Sequence, residues 1–259
     1  MGAEAKSEAT RSVEIAPEDA HGWSTLGTLL MAEGNVSGAL DAFHEAIRLA
    51  PKDVVAQVEL GNALLTSSRF KEAREAYEGA AKGDPRSPLP HLGLARVEVL
   101  AAASDVSRYA TAIGELQAAK TLIAPTDAQT YQKVAVAILK TMSSRFQAMI
   151  DEVQLAYQDS ALGKRSHDEL MRAATDLKDR GDAAADFLDK LPQAANQSVT
   201  QAHYQQGAAL LLQATSVLHG LLNKDNTHGD AQLKSALADA QHELALADKR
   251  LAAPHPTAL

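Results

Sequence analysis

Three prolines, Pro17, Pro51 and Pro85, stand at a constant step of 34 residues. A fixed step of this size points to a chain built by stacking copies of one small unit, each too short to bury its own apolar face. Other residues keep the step: Leu26-Gly27 recurs as Leu60-Gly61 and then as Leu94-Ala95, Leu30 recurs as Leu64, and Ala39, Phe43 and Ala46 recur as Ala73, Tyr77 and Ala80. Within a unit, Trp23, Leu26 and Leu30 make a stripe at helical spacing, Gly34-Asn35 interrupts it, and Ala39, Phe43 and Ala46 make a second stripe that Pro51 ends. Each unit is therefore a pair of helices. A glycine inside a helix costs about 1 kcal/mol relative to alanine, so Gly27 and Gly61 imply close approach of the paired helix, with Phe43 and Tyr77 filling the gaps beside small Ala39 and Ala73.

From Trp23 through Leu26-Gly27, Leu30, Ala39, Phe43 and Ala46 to Pro51, the sequence resembles the tetratricopeptide repeat almost residue for residue, and the resemblance is strong over residues 20–87. It implies an all-α chain in which a tetratricopeptide helix-turn-helix solenoid occupies residues 1–125, with repeats at 20–53, 54–87 and 88–125. Residues 4–17 read as the second helix of a preceding unit, with Ala5, Ala9, Ser12 and Pro17 in the places of Ala39, Phe43, Ala46 and Pro51. That half-repeat is expected either of a cap with a partly uncovered face or of a chain that begins inside a longer solenoid. In the third unit, His91, Leu94 and Ala95 are in register, but the best matches to the second helix are displaced to Ala112, Leu116 and Ala119, and Pro125 falls six residues late. Either its first helix or the turn near Ser104-Asp105 must be longer.

Residues 126–163 read as a degenerate fourth repeat, through Tyr131, Val134, Ala135, Ile138, Met149, Val153 and Ala156, or as one long connecting helix. Over 164–253 the 34-residue pattern gives way to long amphipathic helices, expected at about 166–191, 196–222 and 230–251. Leu233, Leu237, Ala240, Leu244, Ala247 and Leu251 step by four and three, the seam of an antiparallel bundle or hairpin. Gly181-Asp182 is a second point at which the first of these helices could divide, and residues 254–259 read as a frayed tail.

The charge pattern excludes most chemistry. The net charge of −8 is spread along the chain, with 12 basic and 17 acidic residues up to residue 125 and 13 and 16 beyond. No basic face exists to displace counterions from phosphates, so nucleic acid is not an expected partner. Without cysteine there is no thiolate nucleophile or thiolate metal site. No two of the nine histidines fall within four residues of each other, and no phosphate loop, dinucleotide fingerprint or nucleophile elbow is present. Hence no enzyme, no catalytic residue, no metal and no cofactor are expected. The longest apolar run, near Ala208 to Leu212, is too short for a membrane span. Met1–Lys6 is not a secretory signal as it stands, and a cytoplasmic location is the expectation, subject to what precedes a solenoid that begins mid-repeat.

In the family that the sequence resembles, the first helices of successive repeats line a concave groove that holds a partner. The resemblance assigns that role to Thr28 in the first unit, Val55, Val58, Asn62 and Leu65 in the second, and Leu89, Leu92 and Arg96 in the third. Apart from Asn62 and Arg96 its deeper part is apolar, so a protein or peptide partner, or the chain's own C-terminal helices, should cover it. Ser24, Val58, Leu89 and Gly93 stand where the carboxylate-clamp relatives that grip acidic chaperone tails need cations or amides, so that binding mode is not expected. Asn62 is placed to hold an extended peptide backbone, as a similarly placed asparagine does in relatives. The expected function is a non-enzymatic interaction scaffold or adaptor. The alternatives are a structural subunit, including a homo-oligomer, joined through the Leu233–Leu251 seam or the face around Ala5 and Ala9, and a ligand-binding helical bundle with a polar pocket near His203, Tyr204 or His219.

Overall fold

The computed structural model describes residues 2–123, 128–191, 198–222 and 229–252. Its described residues form eleven α-helices: α1 Gly2–Ile15, α2 Ala20–Ala32, α3 Val36–Leu49, α4 Val54–Thr66, α5 Phe70–Gly83, α6 Pro88–Ala101, α7 Arg108–Leu122, α8 Ala128–Ala161, α9 His167–Lys190, α10 Ser198–Leu222 and α11 Gly229–Ala252. Pro125, Pro192, the polar stretch 223–226 and the tail 254–259 lie outside the described residues. The chain divides into two compact units, one of residues 1–101 and 114–125, the other of residues 102–113 and 126–259.

In the first unit, α2 packs on α3, α4 on α5, and each pair on the next. The 34-residue step is visible in atomic detail. Asp19 and Asp53 cap α2 and α4, accepting hydrogen bonds from the backbone N–H groups of His21 (3.0 Å) and of Val55 and Ala56 (2.9 and 3.1 Å). The turns between paired helices close on residues in the left-handed region, Gly34 at φ 79° and Ser68 at φ 58°. Glycine adopts that conformation freely, whereas serine accepts a steric cost of about 1–2 kcal/mol.

The rings explain the glycines. A Cβ on Gly27 would stand 2.7 Å from the Phe43 ring, and one on Gly61 2.6 Å from the Tyr77 ring. Both rings are fully buried. Gly93 is a second glycine on Tyr77, where a Cβ would overlap the ring, so Tyr77 is clasped by the first helices of two successive repeats. A second repeating contact joins each unit to the one before: Trp23 Nε1 donates to the carbonyl of Pro17 at 2.8 Å, and Gln57 Nε2, 34 residues on, donates to the carbonyl of Pro51 at 2.7 Å. The third unit departs here, because His91 Nδ1 lies 2.7 Å from Glu115 Oε2 of α7 instead.

The helix α1 stands in the place of a second helix, burying Ala9 and Val13 against Leu26 and Ala42 while Glu4, Ser7, Glu8, Arg11, Ser12 and Glu14 face outwards. In the third unit most of the late register comes from the turn, and one further residue from α6, which has 14 residues where α2 and α4 have 13. The connections 33–35 and 67–69 have three residues, whereas 102–107 has six, shaped by Asp105, whose Oδ1 accepts from the Ser107 N–H at 3.1 Å and hydroxyl at 2.6 Å.

In the second unit, residues 128–161 form a single helix, and α9 runs unbroken through Gly181, where Leu212 of α10 packs closely. A Ser166–Glu169 capping box starts α9. The helix α10 packs against α8, α9 and α11, and α8 also contacts α9 and α11. Phe146, Ile150, Phe187, Tyr204, Leu211 and Leu218 are buried at its centre. Tyr109 of the 102–113 segment stacks on Phe187 with centroids 4.9 Å apart and accepts a 2.8 Å hydrogen bond from Arg145.

Candidate partner-binding face

Thr28, Asn62 and Arg96 occupy the same place in three successive units, on first helices that neighbour one another: α2 contacts α4, and α4 contacts α6. The helical phase that turns the stripe Leu26, Leu60 and Leu94 into the core turns these three away from it. Thr28 is exposed, and Asn62 and Arg96 are half-buried. Among the described residues the Thr28 hydroxyl bonds along its own helix, donating to the Ser24 carbonyl at 3.1 Å.

Asn62 is the centre of a network. Its Oδ1 accepts from the Tyr77 hydroxyl at 2.8 Å and from the Arg96 guanidinium at 3.2 Å, and its Nδ2 points to Glu59 Oε2 at 3.4 Å. A guanidinium only donates, so the amide orientation is fixed by chemistry: oxygen towards Arg96, nitrogen towards Glu59. Burial drives the Tyr77 hydroxyl pKa upwards, with the nearby Arg96 charge opposing this and Glu59 adding to it, and the group remains a protonated donor. The carbonyl of Asn62 is thus occupied from two sides. What it offers outwards is N–H, a narrower role than holding both donor and acceptor of a peptide backbone.

The structure redraws the apolar part of the expected groove. Val58 and Leu65 are each 7% exposed and Leu92 is 2% exposed, and the first two belong to the core cluster around Tyr77. Packing of adjacent first helices brings these side chains against one another, so they form the floor beneath the face and have little surface to give a partner. Leu89 and Leu100 remain half-buried on α6, and Val55 is 58% exposed. Sequence reading missed Tyr77 and Glu59 as members of the face. A signal existed for the first: Phe43 is replaced by a tyrosine in the same unit in which Thr28 is replaced by an asparagine able to accept its proton.

Of the faces invoked for the alternatives, Ala5 is half-buried, the Leu251 side chain lies outside the described residues, and the other residues pack within the chain. Ala9 is buried against α2, and Leu233, Leu237, Ala240, Leu244 and Ala247 are buried where α11 packs. Near the expected polar pocket, Tyr204 is fully buried; its hydroxyl donates to Asp248 Oδ1 at 2.6 Å, and Ser143 donates to Asp248 Oδ2 at 2.8 Å. Those three groups join α8, α10 and α11 by satisfying one another. His219 is half-buried on α10, and the His203 side chain lies outside the described residues. Among the described residues no three His, Asp or Glu side chains are grouped as for a metal, and no helix is long and apolar enough to cross a membrane.

A family model described as tetratricopeptide repeat matches residues 24–88 and, overlapping, 58–127. No curated protein matches the chain. Among solved structures, the chain is similar to YrrB, a TPR protein with an unusual peptide-binding site, at 16% identity over 93% of this chain and 97% of that one, with a TM-score of 0.46. It is similar to a chain of the APC/C hetero-tetramer Cut9-Hcn1 at 17% identity over 92% of this chain and 46% of that one, with a TM-score of 0.44. It also matches pilF of Pseudomonas aeruginosa at 17% identity, covering 90% and 99% of the two chains, with a TM-score of 0.40.

Proposed function

Given that residues 24–127 are tetratricopeptide repeats, we propose that this protein is a non-enzymatic scaffold that seats a segment of a protein partner across the first helices of its repeats. The observation that carries this reading is the row Thr28, Asn62 and Arg96, one residue from each of α2, α4 and α6 at a constant step of 34. Thr28 is exposed, Asn62 and Arg96 are half-buried, and the last two are already held in fixed orientation by hydrogen bonds. A face whose polar groups are set before a partner arrives loses less freedom on binding. Val55 and Leu89 supply apolar contact beside the row, over a floor of Val58, Leu65 and Leu92.

The test is selection of a phage-displayed library of random short peptides on the purified full chain, followed by counter-selection on a Thr28→Arg/Val55→Arg double variant. Both positions are exposed, so the variant should fold. Enriched clones that bind the original chain and not the variant support the reading. Clones that bind both equally, or no enrichment at all, would sink it.

A further inference from the structure

Six arginines, Arg48, Arg69, Arg74, Arg108, Arg165 and Arg180, lie within 4 Å of a carboxylate of the same chain. Arg96 is different. It is half-buried, its hydrogen bond is the one to Asn62 Oδ1, and among the described residues no carboxylate stands within ion-pair distance of it. A guanidinium has five N–H donors in a planar fork, and the Arg96 donors that Asn62 does not engage are open to a bidentate acceptor. Asn62 holds one edge of that fork in place and turns only N–H groups outwards. The centre of the face is therefore a fixed cluster of donors in a chain whose net charge is −8.

Two neighbours narrow the ligand. Leu89 and Leu100 are both half-buried and flank Arg96 at seven residues before and four after on the same face of α6. Both pack partly against the core cluster around Tyr77, and the part of each left exposed continues the apolar surface past the guanidinium in both directions, which suits a segment that runs through the site rather than one that ends there. Glu59, on the far side of Asn62 from Arg96, places a negative charge beside the donors. A run of acidic residues would meet repulsion from it, whereas a single acid would not.

From this we infer that the partner segment carries one internal Asp or Glu, flanked by apolar residues, whose carboxylate docks on Arg96. The inference rests on the partner-face reading above and adds the chemistry of the occupant. It is a contact to one side chain inside a segment, and it needs none of the groups that a grip on an acidic chain terminus would use.

The experiment repeats the phage selection on the wild-type chain, on Arg96→Gln and on Arg96→Glu, with Trp23 fluorescence confirming that each variant is folded. Wild type should enrich clones with a single acidic residue between apolar ones. A synthetic peptide of the best such sequence should bind Arg96→Gln about 10-fold or more weakly, as expected when a charge-assisted hydrogen-bond pair is lost. Arg96→Glu should shift the enrichment to Lys or Arg at the same place, a reversal that misfolding cannot produce. Clones that depend on Thr28 and Val55 yet show no acid preference and bind Arg96→Gln unchanged would overturn this inference and leave the face standing. Absence of any clone sensitive to the Thr28→Arg/Val55→Arg variant would overturn both.

Discussion

In the repeats of the first unit, helix pairs close by laying an aromatic ring on a glycine, whereas in the second unit long helices close along stripes of Leu and Ala. The ring contact is short-range and unforgiving: Tyr77 touches Gly61 and Gly93 so closely that neither has room for a methyl group. The stripe contact is distributed, and its tight points involve side chains that can turn. At Gly207 of α10 an added Cβ would meet Leu244 Cδ2 at 3.1 Å, the far end of a flexible chain. The first arrangement fixes geometry at a few points and repeats it, while the second averages over many contacts and tolerates adjustment.

Tyr77→Ala should give the largest effect, because it empties a fully buried ring site shared by two repeats. A loss of about 3–5 kcal/mol is expected, the range for truncating a buried aromatic residue. The single Trp23 reports on the first unit, so its fluorescence in a urea titration should show the loss. The next test bears directly on the contrast. Gly93→Ala should destabilise by about 1–3 kcal/mol through overpacking against the Tyr77 ring. Gly207→Ala should be neutral or stabilising by up to about 1 kcal/mol, as Leu244 moves aside and the helix gains propensity. Equal losses at the two sites, read by circular dichroism in urea, would break the contrast.

Smaller effects probe each region's polar contacts. Tyr204→Phe should cost about 1 kcal/mol, the worth of one hydrogen bond, since Ser143 continues to donate to Asp248. Because burial holds the Tyr204 hydroxyl protonated well above its ordinary range, that cost should not vary between neutral and moderately alkaline pH. Ser68→Gly should stabilise the first unit by about 0.5–1 kcal/mol by relieving a left-handed serine, net of glycine's extra freedom in the unfolded chain. An unchanged urea midpoint would mean that the turn 67–69 holds Ser68 by contacts that outweigh its steric cost.

The features legible in the sequence are those forced by steric exclusion. Pro51 cannot continue the interior of a helix, and Gly61 lies against a ring that leaves no room for a side chain, so their spacing carries the repeat. The long helices of the second unit were legible as stripes, and their partners were not, because Leu233 or Leu244 packs equally well on many faces. Depth was the chief misreading at the candidate site. Val58, Leu65 and Leu92 share a face with Asn62 and Arg96 on paper, but how far each sinks depends on how closely α2, α4 and α6 approach, which no single-helix pattern encodes. The bond from Trp23 to Pro17 and its counterpart from Gln57 to Pro51 were equally hidden, since an indole and an amide share little except an N–H of similar reach.

That last pair bears on how such a chain can grow. Each of the two donors sits inside its own repeat, while the acceptor is a proline carbonyl that every repeat leaves at its end. An extra copy of residues 54–87 placed after residue 87 would therefore arrive with its own fastening, its glutamine meeting the carbonyl of Pro85, and would present Pro85's duplicate to whatever follows. The third repeat, whose His91 turns to Glu115 instead, has given up this interchangeability. Duplication of such a unit would thus carry its own fastening within the first two repeats and lose it at the third.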